Sequence, residues 1–488
     1  MWQHKLIDLL GKLNRKEMTR FREFSQSPYF NKHVGVQALV AYLEQCYPDF
    51  EERKCERNVV FRHLFPGKRH DQGKLAVLFT YTYRLAEQFL AQEALKLEPA
   101  ETNNLLLRGL RQVKAFGLYH RALDRSTDHL ENAAEQPSVQ WWHRYRLSAE
   151  QDYYLNHIVA KRDLSGLTEM EQRLDHFYLA EKMKNAVEMQ VRRNMVKVQT
   201  ESRLMASALR EVAENMEDYR EIPAVYLYYK LYIMLSESDH RYYFEALRVL
   251  KDSEASFPAP ERAGLYNYFQ NYCIREINQN NLQFLTELFR LYQSQLEQEL
   301  LLEEGHLSEW HYKNIVTVGL RLGELEWVHR FINDYRSSLR PEVADNAFRF
   351  NLAAYYHEAG QFGEVLDLLI QVEYSDPRYN QSAKALLLRT YYEMGEDEAL
   401  FSLVDSFLQY LQRNELMADF RRSGYYHLFR LTRRVAHIRS RIGYDKWEKT
   451  LKDIDKLKKE VAAAAAIFNQ SWLEAKIEAL TEEEQVGR

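Results

Sequence analysis

Residues that turn or break the chain are scarce, with 17 glycines and 10 prolines in 488 positions, where average usage would put these two types at roughly 12%. Sandwiches, barrels and open α/β sheets need a turn signal every few residues or at each strand–helix junction, and those signals are mostly Gly and Pro. A mainly β or α/β fold is therefore excluded. With 46% hydrophobic and 28% charged residues, the chain can bury a large core and is not disordered. What remains is an all-α protein, and almost every segment has apolar residues recurring at three and four.

The few breakers divide the chain. Asn14 followed by Glu17 is a helix-start pattern. Ser27-Pro28, Pro48 and Pro66-Gly67 separate the first helices, so residues 1–97 read as an N-terminal module of four or five helices. Residues 98–226 read as irregular helix pairs, 227–414 as regular repeats, and 415–488 as a basic helix with capping helices. In the repeat region Gly323, Gly360 and Gly395 stand 37 and 35 residues apart, close to one two-helix repeat of 34 residues. Pro258, Pro341 and Pro377 are expected to close the second helices. The run Val461 to Ala466 is expected to be a strong helix former, serving as a cap or packing against a second subunit.

Aligned on those glycines, residues 346–379 resemble a tetratricopeptide repeat. Leu352 and Ala353 take the first-helix packing pair, Tyr356 the aromatic, Gly360 the turn, Phe362 the start of the second helix, Leu369 its large slot and Pro377 the terminator. Residues 309–342 and 381–414, and the second helix Tyr243, Ala246, Leu250 and Pro258, match more loosely. The resemblance implies a right-handed α-solenoid of antiparallel helix pairs that binds protein through its concave face. Separately, Phe21, Phe24 and Ser27-Pro28-Tyr29-Phe30-Asn31-Lys32 resemble the opening of uncharacterised helical-repeat proteins of Bacteroidota-type bacteria, which implies no activity.

Charge is segregated along the chain. Residues 1–74 hold 14 basic against 9 acidic side chains, 281–420 hold 11 against 23, and 421–460 hold 13 against 5; such blocks concern surfaces and partners. Cys46, Cys55 and Cys273 have no CxxC spacing and suit a reducing compartment, so a cytoplasmic location is expected. The apolar run Val461 to Phe468 is far short of the roughly 20 residues that span a bilayer, and no membrane insertion is expected.

No catalytic or metal-binding constellation is legible, and no cofactor is implied. Gly67 to Gly73-Lys74 mimics a phosphate loop, but five residues separate its glycines, Leu75 replaces the Ser/Thr, and no strand precedes it. His357-Glu358 lacks the second His of a helical zinc pair. A non-enzymatic scaffold or adaptor that binds a protein or peptide is the leading expectation. The repeat resemblance places its groove at Trp310, Lys313, Thr317 and Arg321, then Phe350, Ala354, His357 and Glu358, then Arg389, Tyr392 and Glu393. Cations among them would pair with carboxylates and aromatics would contact side chains. The 33 tyrosines come partly in adjacent pairs such as Tyr391-Tyr392, whose rings diverge by about 100° on a helix, so that one can enter an interface while the other faces a groove.

The alternative is a nucleic-acid-associated or regulatory protein that uses the basic N-terminal helices or an arginine ridge. In a helix over 421–442, Leu428, Leu431, Val435, Ile438 and Ile442 form an apolar stripe, while Arg430, Arg433, Arg434, His437 and Arg441 share another face. Arg suits phosphate and carboxylate forks, so this ridge fits a nucleic-acid backbone, an acidic peptide or the acidic block 281–420.

Overall fold

A computed structural model describes residues 4–69, 71–161, 164–196, 202–370, 377–413, 419–464 and 466–486. Among the described residues the regular structure is 24 α-helices, two short 3-10 turns and one two-stranded hairpin. The protein is all-α, as its poverty in turn residues requires. The chain divides into two compact units, Met1–Phe257 and Pro258–Arg488.

The first unit opens with α1 (Lys5–Gly11), α2 (Arg15–Gln26), α3 (Val34–Cys46), α4 (Arg57–Leu64) and α5 (Gln72–Lys96), the last packing against all four others. Leu6, Phe21, Leu43, Phe61, Phe79 and Phe89 belong to one continuous core among these helices. Asn14 caps α2 as its spacing predicts: its side chain accepts from the Glu17 amide at 3.0 Å, and Glu17 accepts from the Asn14 amide at 2.8 Å. Cys46, Cys55 and Cys273 are free thiols and buried.

The rest of this unit comprises α6 (Pro99–Gln112), α7 (Phe116–Glu131), α8 (Ser138–His157), α9 (Ser165–Val196), α10 (Met205–Glu214), α11 (Met216–Tyr219), α12 (Pro223–Ser236) and α13 (Arg241–Ser253). The long α9 packs on α8, α10 and α12.

The second unit runs through α14 (Ala259–Asn278), α15 (Gln283–Glu297), the hairpin β1 (Leu302–Glu303) and β2 (His306–Leu307), α16 (Glu309–Leu322), α17 (Leu325–Asp334), α18 (Pro341–Glu358), α19 (Phe362–Ile370), α20 (Pro377–Met394), α21 (Asp397–Arg413), α22 (Asp419–Arg439), α23 (Trp447–Ala463) and α24 (Gln470–Val486). Helices α16 and α17, α18 and α19, and α20 and α21 pack as consecutive pairs. The first members also pack on one another, α16 on α18, α18 on α20 and α20 on α22.

Three identical turns hold these pairs. Gly323, Gly360 and Gly395 adopt φ of +77°, +74° and +76°, a left-handed conformation that costs glycine nothing. At each, the following amide (Glu324, Gln361, Glu396) bonds the carbonyl five residues back and the glycine amide bonds the one three back, which satisfies the helix's last carbonyls. The prolines mark the same boundaries from the other side. Pro341 and Pro377 are the first residues of α18 and α20, and Pro258 is the N-cap of α14. They open helices instead of closing them, because a first-turn position has no hydrogen bond for proline to break.

Other expectations are corrected. Gly305 and Glu304 form the positive-φ turn of a β1–β2 hairpin, where no strand was expected. The alanine run does not continue as helix: α23 ends at Ala463 and Ala464 is extended, at φ −75° and ψ 132°. Tertiary contacts override propensity there. Ala466 O lies 3.0 Å from His427 Nδ1, and the Phe468 amide donates to Gly424 O at 3.3 Å. Ala465 and the expected boundary at 414/415 lie outside the described residues.

Candidate binding groove

Because α16, α18, α20 and α22 pack side by side, one stripe from each faces a common pocket of about 440 Å³. Trp310, Lys313, Thr317 and Arg321 of α16 recur at three and four and line it together. Phe350, Ala354 and Glu358 come from α18, Ser382, Leu386 and Arg389 from α20, and Arg421 and Tyr425 from α22. Phe468 and Asn469, from the link between α23 and α24, also line it. A side chain at Gly424 would place its Cβ 2.8 Å from the Phe468 ring, so the glycine is what lets this link lie against α22. The Phe468 ring sits 4.4 Å from that of Tyr425.

The pocket is cationic. Lys313 Nζ donates to Ser382 Oγ at 2.7 Å and lies 5.1 Å and 5.4 Å from the ring centres of Phe350 and Tyr379, close enough for cation–π attraction. Arg389, with its side chain 15% exposed, reaches Glu358 Oε1 at 3.4 Å. Its Nε is buried without a hydrogen-bond partner among the described residues. Burial pulls the Arg389 guanidinium below its ordinary value, against the opposing pull of Glu358. Arg321 and Arg421 line the same pocket and pair with no carboxylate among the described residues. Four cations thus share a pocket with one carboxylate, Glu358.

Three residues predicted for the groove lie elsewhere. His357 is buried, its Nδ1 3.0 Å from Thr390 Oγ1 and its ring 5.4 Å from Phe362. It faces the interface between helices, one position off the lining stripe of Phe350, Ala354 and Glu358. Burial lowers its pKa to about 3, with Arg389 and Lys476 adding repulsion. Tyr392 is buried under Trp472 and the Arg439 guanidinium, which lies 4.1 Å from its ring centre. Glu393 accepts from Trp472 Nε1 and Lys476 Nζ, both at 2.8 Å. Tyr392 and Glu393 continue the α20 stripe beyond Arg389, but α24 covers them.

Sequence reasoning missed Leu320, Asn351, Ser382, Ala385, Leu386, Arg421, Tyr425, Phe468 and Asn469. Ser382 was within reach, since it extends the Leu386 and Arg389 stripe by one turn. Arg421 and Tyr425 required seeing α22 as a fourth lining helix. Phe468 and Asn469 carry no signal, because the alanines before them favour helix.

The ridge of α22 is differently placed. Arg430 and Arg434 both pair with Glu460 of α23, Arg433 with Asp405 of α21, and Arg441 with Asp445. The arginines hold the Glu460 carboxyl below its usual range, chiefly through the Arg434 hydrogen bond. Helix α22 ends at Arg439, so Arg441 and Ile442 follow the helix and do not continue its faces. His437 is exposed. In the phosphate-loop mimic, Gly67 lies in the turn after α4, and Lys74 sits in the first turn of α5 with its amine 4.3 Å from the Phe65 ring centre.

No group of three or more His, Cys, Asp or Glu side chains among the described residues could hold a metal ion. No helix among them is long and apolar enough to cross a membrane. No family model, no curated protein and no solved structure matches this chain.

Proposed function

We propose that this chain is a non-enzymatic, cytoplasmic scaffold or adaptor that holds a peptide segment of a partner protein in the groove lined by α16, α18, α20 and α22. The helix pairs are read as tetratricopeptide-like repeats stacked in a right-handed α-solenoid, in which each pair gains stability from its neighbours. The supporting observation is that four alternate helices direct one stripe each into a single pocket of mixed cationic and aromatic character. Such a surface suits an extended acidic segment: Arg321, Arg389 and Arg421 would take carboxylate oxygens, and Trp310 and Phe350 would contact apolar side chains. The nucleic-acid reading of Arg430, Arg433 and Arg434 has weaker support, since each already pairs with a carboxylate.

A photo-crosslinking residue placed at Thr317 tests the groove, with the same residue at His437 as the comparison. Crosslinks to peptide segments of cellular proteins at Thr317 and none at His437 are expected. Crosslinks confined to His437 would remove the groove from the account.

A further inference from the structure

The charges of the pocket do not close. Lys313, Arg321, Arg389 and Arg421 face it with Glu358 as their one acidic neighbour in the lining. Arg389 is the most exacting member. Its side chain is 15% exposed, its carboxylate contact is long at 3.4 Å, that carboxylate is itself 41% exposed, and its Nε donates to nothing among the described residues. A buried guanidinium with one thin contact and an idle donor is an incomplete arrangement. An anion with several oxygens entering beside Arg321 and Arg421 would complete it.

A single carboxylate would offset only one of the charges of Arg321 and Arg421, which pair with no carboxylate among the described residues. A phosphate monoester carries about −1.5 to −2 near neutral pH and three acceptor oxygens, and Arg forks match that geometry. Trp310, Phe350 and Tyr425 give the walls apolar surface for the side chain that carries it. We propose that the pocket takes the phosphate monoester of a phosphorylated peptide side chain, with Arg389, Arg321 and Arg421 as its oxyanion partners. The inference rests on the peptide-groove reading and names the chemical class of what that groove holds. It makes the interaction conditional on a kinase acting on the partner.

Calorimetric titration of the full chain tests it with N-acetyl-phosphotyrosine amide and N-acetyl-phosphoserine amide. Their unphosphorylated counterparts, N-acetyl-glutamate amide and adenosine monophosphate serve as comparisons. At least one phosphorylated amide should bind about tenfold or more tightly than its unphosphorylated form, than the glutamate amide and than the nucleotide, since charged hydrogen bonds differ by that order. Arg389→Gln and the exposed Arg421→Gln should each weaken it about tenfold, and Arg433→Gln on the ridge should leave it unchanged. Arg421→Gln keeps the test readable should Arg389→Gln fail to fold. Equal binding of the glutamate amide, equal or tighter binding of the nucleotide, no binding, or indifference to Arg421→Gln overturns the inference. If Thr317 still crosslinks partner peptides while the phosphorylated amides show no preference, the phosphate assignment alone fails. If Thr317 captures none, the groove itself fails.

Discussion

Helix α22 contributes to two cationic surfaces, and they differ in what surrounds them. Near its start, Arg421 enters a pocket where four cations meet one carboxylate. Two to three turns later, Arg430, Arg433 and Arg434 each meet a carboxylate, and two of them share Glu460. The sequence makes the ridge the more conspicuous feature, because its arginines are close together in the chain. The pocket cations are spread over Lys313, Arg321, Arg389 and Arg421. Proximity in sequence says where charge is concentrated; whether it is available depends on distant carboxylates, here 26 to 30 residues away. The ridge arginines clamp α22 to α21 and α23. In the pocket, Arg389 reaches Glu358 and Lys313 reaches Ser382, while Arg321 and Arg421 pair with no carboxylate among the described residues.

Removing one carboxylate from each surface sharpens the contrast. Glu358→Gln removes the carboxylate that Arg389 touches and leaves it Glu393 as the remaining attractive charge, and chemical denaturation should show a loss of about 1–2 kcal/mol, the half-exposed carboxylate keeping this below a fully buried pair. Glu460→Gln, where both arginine partners are partly exposed (40% and 30%), should cost under about 1 kcal/mol. Freed of that partner, Arg430 and Arg434 should then retard duplex DNA at roughly 50 mM salt and release it by roughly 200 mM. Equal stability losses would break the comparison.

Beside the pocket, His357 makes a pH-dependent contribution. Its folded pKa of about 3 lies below the ordinary 6.5, so between these values the unfolded chain binds the extra proton. Its contribution to stability is complete above about 6.5 and falls as pH drops towards 3, with a slope of about 1.4 kcal/mol per pH unit for one proton. His357→Gln should flatten the measured stability profile by that one-proton slope below pH 6.5 and leave ridge ion pairs untouched. An unchanged slope would place the histidine in a hydrated site.

The smallest effect concerns turns. Lys114, at φ 60°, makes the same two backbone bonds that Gly360 makes at 74°. Lys114→Gly should raise stability by about 0.5–1 kcal/mol in thermal unfolding, since a left-handed lysine is strained. A loss would mean that the Lys side chain offsets that strain.

Lys114 also shows what the sequence could not display. The 37- and 35-residue spacing of Gly323, Gly360 and Gly395 was legible because glycine advertises its turn. The equivalent turn at Lys114 was not, since a lysine is driven into the same conformation by the helices it joins. The repeat resemblance located Trp310, Lys313, Thr317 and Arg321 on α16, Phe350, Ala354 and Glu358 on α18 and Arg389 on α20, but not Ser382 and Leu386 on the preceding turns of α20. It could not foresee that α24 covers Tyr392 and Glu393, or that His427 and Gly424 hold an alanine-rich segment out of helix and bring Phe468 to the pocket. Those outcomes depend on contacts between elements far apart in the chain.

The central claim is that the pocket, and not the ridge, holds the partner. Partner capture from cell extract with two charge reversals tests it most directly: Arg321→Glu with Arg421→Glu in the pocket, and Arg430→Glu with Arg433→Glu on the ridge, each shown to fold by circular dichroism. The pocket pair should lose the proteins that the unaltered chain retains, and the ridge pair should keep them. Retention by the pocket pair together with loss by the ridge pair would contradict the account.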